Sequence, residues 1–153
     1  MKKLAPGDRA PRFSLEDQDG NRVSSADFKG QKLLVFFYPK ADTPGCTEQA
    51  CSVRDAHRDF AKRKVAAVGI SPDAPGAQKK FDAKFSLGFP LLSDPGHAVA
   101  DAYGVWGEKV LFGRTIVGII RSSFLIGEDG KILAAWYRVP AGRTVERALE
   151  ALA

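Results

Sequence analysis

Cys46 and Cys51 are the only two cysteines in the chain, and they stand behind the run Thr43-Pro44-Gly45. Proline is favoured in a first helical turn, so this run predicts that Cys46 opens a helix. A thiol at that end meets unpaired backbone N–H groups and the positive end of the helix dipole. Both favour thiolate over thiol, and thiolate is the form that attacks electrophiles. Cys51 follows five residues later. On an ideal helix that separation is about 140° of rotation and about 7.5 Å of rise. Cys46 then shares the apolar face with Ala50 and Val53, and Cys51 falls among Arg54, Asp55 and Arg58. With Cα atoms more than about 7 Å apart and diverging Cβ vectors, the two sulfurs can bond only if the first turns of the helix unwind.

Other side chains suggest partners for such a thiol. Thr43 lies three residues before Cys46, where its hydroxyl can donate to an oxygen beside the sulfur or cap the helix. Pro39 can end the preceding strand or shield the sulfur from water. Arg121 lies between apolar residues, on one face of an expected strand with Ile119, Ser123 and Leu125. Buried there, it needs an anion; on an edge strand it would point into solvent. Several alternatives remain open. Both cysteines can be small packing residues. Zinc would need Cys46, Cys51, His57 and His97, whose spacing fits no usual finger. Dithiol exchange ordinarily uses C-x-x-C, and here four residues intervene. The pair can also serve as a redox sensor without turnover. His57 reads as a packing residue, and His97 as exposed near a helix start.

The elements that would position these residues follow from periodicity. Phe13-Ser14-Leu15 and Asn21-Arg22-Val23 flank the turn Asp17–Gly20 and predict a short hairpin. Leu33 to Tyr38 is a continuous apolar run, read as a central strand buried on both faces. A helix is expected from Cys46 to Lys64, with Ala50, Val53, His57, Phe60 and Ala61 inward. Strand Val65–Ile70 precedes a helix opened by Ser71-Pro72-Asp73 with the stripe Ala77, Phe81, Phe85. Then come a strand at Phe89–Leu92, a short helix at Ala98–Tyr103, strands Ile119–Ile126 and Ile132–Tyr137 around Gly127–Gly130, and a closing helix at Arg143–Leu152. Strand–helix alternation implies parallel pairing, and the late hairpin an antiparallel portion. The fold class is α/β, a mixed central sheet flanked by helices.

Composition narrows the classes. At 153 residues, with neither repeat nor linker, the chain reads as a single domain, 1–153. The net charge is +5, but it is dispersed; its longest basic run is Lys62-Arg63-Lys64, and no nucleic-acid partner is expected. The longest apolar run, Lys32–Tyr38, is far short of the ~20 residues that span a bilayer. The N-terminus has lysines but no apolar stretch behind them, which favours the cytoplasm over secretion. Two cysteines cannot form a disulfide framework.

The stretch Pro39-Lys40-Ala41-Asp42-Thr43-Pro44-Gly45-Cys46 resembles the PxxxTxxC signature of the peroxiredoxins. Its continuation, Thr47-Glu48-Gln49-Ala50-Cys51 and then Arg54-Asp55, is similar to the Q type, also called bacterioferritin comigratory protein. The resemblance runs nearly end to end, through Gly7–Pro11, Phe89–Asp94, Tyr103–Lys109 and Arg121–Ile126. It departs in small ways, with Ser123 where threonine is common and Gly127 where aspartate is common. The resemblance implies a thioredoxin-like fold and a peroxidase of H2O2 and organic hydroperoxides. It implies that Cys46 is the peroxidatic cysteine and that Thr43 and Arg121 orient and polarise the peroxide, with Pro39 and Gly45 shaping its pocket. It makes Cys51 the resolving cysteine in an intramolecular disulfide, reduced by thioredoxin or a similar dithiol. It further implies a monomer without metal or cofactor.

Overall fold

The computed structural model describes residues 3–153. Its architecture is set by β3 (Lys32–Phe37), whose residues 33–37 are all buried. Both faces of this strand are covered, so a continuous apolar run is what the position requires. Leu33, Val35 and Phe37 enter one core, with Val68, Tyr103 and Phe124. Leu34, Phe36 and Tyr38 enter the other, with Cys46, Val53 and Phe81.

Seven strands form the sheet, in the order β2-β1-β5-β4-β3-β8-β9. They are β1 (Ser14–Glu16), β2 (Arg22–Ser24), β4 (Val65–Ser71), β5 (Leu91–Ser93), β8 (Ser122–Ile126) and β9 (Ile132–Trp136), with β3 near the centre. β3 pairs parallel with β4, and β4 with β5. The β3–β8 and β8–β9 pairs are antiparallel. Helices α1 (Pro44–Asp55), α2 (His57–Lys62), α3 (Pro75–Phe85) and α5 (Thr144–Leu152) supply the second core with Ala50, Phe60, Phe81 and Ala148. The short α4 (Ala98–Ala102) supplies Val99 and Ala100 to the first. The mixed sheet between helices is the expected fold class.

Four expectations are corrected. The helix expected over Cys46–Lys64 begins two residues earlier, at Pro44, and breaks at Ala56. Past the break His57 is exposed, with Nδ1 3.1 Å from the Arg54 carbonyl oxygen, so it is not a packing residue; Ala61 is exposed too. α3 starts at Pro75 rather than at Ser71, and it buries Gln78 with Phe81 while Ala77 is exposed. The Gln78 amide is satisfied by Ser71 Oγ, the Leu92 carbonyl and the Tyr38 hydroxyl, which permits its burial. The strand expected over Ile119–Ile126 is two strands. Ile119 ends β7 (Arg114–Ile119), which pairs with β6 (Trp106–Leu111) in a separate two-stranded ribbon. Arg121 lies in the gap before β8, not in a strand.

The ribbon turns at Phe112-Gly113, both at positive φ (52° and 75°), as a two-residue loop of the primed type demands. Phe112 is 96% exposed, and Val110, Leu111, Ile116 and Val117 are exposed with it. No helix among the described residues is long and apolar enough to cross a membrane.

Candidate active site

The site is built where β3 ends and β8 begins. Their register pairs Phe37 with Ser122. Tyr38 and Pro39, which follow β3, therefore lie beside Arg121, which precedes β8. Pro39 and Thr43 are half-buried, and Thr43 is extended (φ −99°, ψ 156°) immediately before Pro44 opens α1. Cys46, in the first turn, has a fully buried side chain.

Arg121 reaches Cys46 across 75 residues of sequence, with Nη2 3.4 Å from Sγ. Its Nη1 donates to Gln49 Oε1 at 2.7 Å. Gln49 Nε2 donates in turn to Thr144 Oγ1 at 2.9 Å, and Ser123 Oγ lies 3.0 Å from that hydroxyl. The guanidinium is thus held at two nitrogens, one of them against the sulfur. The first turn of α1 adds its own positive end at the same point. Gly45 has a steric purpose: a Cβ there would lie 3.0 Å from Arg121 Nη2. Only a bare α-carbon lets the guanidinium lie this close over the start of α1.

The loop between Pro39 and Cys46 is pinned from outside. Asp73 Oδ2 accepts from the Ala41 amide and from Ser71 Oγ, each at 2.7 Å. Asp42, at φ 60°, pairs with Lys84 at 3.0 Å. Thr43 Oγ1 donates to the Lys40 carbonyl at 2.7 Å, and α1 has no side-chain cap. The threonine hydroxyl therefore neither caps the helix nor spends its proton on the sulfur side. Beneath the loop, burial pushes the Tyr38 phenol far above its ordinary value and keeps it neutral.

Cys51 is on the same helix, half-buried, and both thiols are free. Its side chain packs against the second core. This corrects the expectation of a wholly polar surrounding. His57 and His97 do not join the cysteines. His97 stacks on Trp106 with ring centroids 3.9 Å apart and pairs with Asp101 at 2.8 Å. Among the described residues no group of three or more His, Cys, Asp and Glu side chains is gathered to hold a metal ion.

Sequence reasoning missed Gln49, Thr144 and Asp73. Gln49 carried one signal, its place three residues after Cys46 on the inward side of a helix; Thr144 and Asp73 carried none.

Residues 6–135 match the model of the AhpC/TSA family. Peroxiredoxin Bcp of Escherichia coli K12 is 54% identical over 132 residues, which are 86% of this chain and 85% of that protein. A putative peroxiredoxin of Mycobacterium tuberculosis is 52% identical over 139 residues, 91% of this chain and 88% of the relative. Among solved structures, peroxidoxin BcpB of M. tuberculosis superposes with a TM-score of 0.86 at 34% identity, covering 97% of this chain and 96% of that one. A mutant of Xylella fastidiosa PrxQ gives 0.91 at 28% identity, covering 99% and 97%. A Xanthomonas campestris bacterioferritin comigratory protein, studied for alkyl peroxide reduction, gives 0.85 at 31%, covering 92% and 89%. With the thiol at the head of α1, an arginine on its sulfur and likeness over nearly the whole chain, this protein belongs to the AhpC/TSA family as a thioredoxin-fold peroxiredoxin of the Bcp/Q type, a thiol-dependent peroxidase.

Proposed function

We propose that Cys46 is the peroxidatic cysteine and that Cys51 resolves it, within a single domain that carries the whole cycle. The observation behind this reading is the contact between Arg121 Nη2 and Cys46 Sγ, 3.4 Å. A half-buried guanidinium needs an anion, and a thiolate supplies one.

The Cys46 thiolate attacks the terminal oxygen of ROOH. The O–O bond breaks, its electron pair leaves on the far oxygen, and Cys46 becomes a sulfenic acid. Charge passes from sulfur to oxygen, so donors fixed at the oxygens help most in the transition state. Arg121 and the Cys46 backbone N–H are such donors. The Thr43 proton is engaged by Lys40, which leaves its oxygen free to accept from the peroxide O–H. Pro39 and Gly45 bound the space the peroxide enters. The first turns of α1 then unwind, and Cys51 attacks the sulfenic sulfur and expels water. The intramolecular disulfide is reduced by thioredoxin or a similar dithiol protein. The substrates are H2O2 and organic hydroperoxides, the latter supported by the alkyl peroxide reduction described for the Xanthomonas relative. The protein works as a monomer in the cytoplasm, and the cycle uses neither cofactor nor metal.

The test is a thioredoxin-coupled assay with H2O2 and an alkyl hydroperoxide. Cys46→Ser should abolish turnover. Cys51→Ser should consume one equivalent of peroxide quickly and then stop. Full cycling by Cys51→Ser would place resolution elsewhere, and disulfide formation without turnover with any reductant would make the pair a sensor.

A further inference from the structure

The peroxide reaction expels an alkoxide or hydroxide, and the leaving oxygen must acquire a proton. Arg121 does not supply it, because a guanidinium does not deprotonate in a protein. The Thr43 proton is directed to the Lys40 carbonyl. A further cation is bound to the backbone just before Arg121. Lys109 lies in β6, opposite Ile116, on the ribbon face that carries Gly107 and Gly118. Its half-buried stem crosses Gly118, where a Cβ would be 3.6 Å from Cε and 3.9 Å from Nζ. The lysine stem thus lies in ordinary contact over the backbone at Gly118. Nζ donates to the Ile119 carbonyl at 2.6 Å, two residues before Arg121.

That bond uses one of three N–H groups, and among the described residues no carboxylate pairs with Lys109. The charged groups close enough to act on it through space are Arg121 and Cys46. Burial first, and Arg121 second, make the ammonium a stronger acid than an ordinary lysine, with the Cys46 thiolate opposing them.

We propose that Lys109 is the general acid that protonates the oxygen leaving from Cys46. The reading rests on Cys46 being the attacking thiol. The sulfur electron pair forms the S–O bond with the terminal oxygen, which keeps its hydrogen as the sulfenic acid. The O–O pair goes to the far oxygen, which takes a proton from Nζ and leaves as ROH. Sulfur is oxidised by two electrons, the peroxide is reduced by two, and the neutral amine regains its proton from water.

A general acid matters most when the leaving group is basic. The test is single-turnover stopped flow of wild type, Lys109→Met and Lys109→Arg with tert-butyl hydroperoxide, H2O2 and peracetic acid, which expel alkoxide, hydroxide and acetate. Lys109→Met is expected to slow the first two by about 10²-fold and to leave the peracid rate nearly unchanged. Lys109→Arg keeps the charge but releases no proton, so it should show the same selective loss. An equal loss with all three oxidants, no loss, or recovery by arginine would overturn the proposal; the arginine variant keeps that outcome readable if methionine disturbs the ribbon. Wild type reacting no faster than Cys46→Ser would instead overturn the assignment of the thiol.

Discussion

Arg121 shows how a residue at the sulfur can depend on a side chain, Gln49, that sits behind it. Its two Nη atoms are shared between Gln49 and Cys46, and lysine has no planar fork to span both. Arg121→Lys should lower the second-order rate with peroxide by about 10²–10³, the usual loss when one transition-state donor goes. Stopped-flow peroxide consumption measures it. Gly45→Ala tests the same contact from the helix side. A methyl group 3.0 Å from Nη2 displaces only the end of a flexible side chain, so thermal stability should hold. The rate should fall by about tenfold, within the roughly 10² that an ångström of misplacement costs. A drop in melting temperature with an unchanged rate would assign Gly45 to backbone geometry instead. Gln49→Leu removes a fully buried amide and leaves Thr144 and Arg121 short of a partner, which should cost about 1–3 kcal/mol in urea denaturation.

At the scale of elements, α1 carries both thiols, and its continuity keeps them apart. Oxidation by one equivalent of peroxide should therefore release the α1 amides around Cys46–Ser52 to fast hydrogen exchange while β3 stays protected. Cys51→Ser should suppress that change; protection retained throughout α1 in the oxidised wild type would rule out unwinding. The ribbon of β6 and β7 carries a different kind of strain. Phe112 occupies a left-handed turn position at φ 52°, where asparagine is better tolerated. Phe112→Asn should stabilise the protein by about 1 kcal/mol in equilibrium unfolding.

For the molecule as a whole, the two cores contain phenols that stay neutral. Burial raises Tyr38 and Tyr103 well above their ordinary value of about 10. In the unfolded chain both lose a proton above about pH 10, while the folded chain keeps them. The unfolded state then binds fewer protons, so stability is complete below about pH 10 and falls as pH rises beyond it. Each phenol contributes a slope of about 1.4 kcal/mol per pH unit. Urea midpoints between pH 9 and 11 should show the fall, and Tyr103→Phe should reduce it.

Much of this was legible in the residues taken in order. The run Leu33–Tyr38, the hairpin turn at Asp17–Gly20 and the proline before Cys46 each act within a few positions, and the elements they predict are present, the strand at Lys32–Phe37. The ribbon went unread because its apolar residues face outward, so they lack the alternation of a half-buried strand. The Ala56 break and the inward turn of Gln78 depend on neighbours from distant segments. The chain on its own determined the candidate nucleophile, its place at a helix head and the loop before it, since capping and periodicity are short-range. Only the tertiary structure decided what surrounds the sulfur. The pairing of Phe37 with Ser122 sets Arg121 beside the loop, and the ribbon lays Lys109 behind it. Long-range strand register, which no local pattern encodes, is the physical reason.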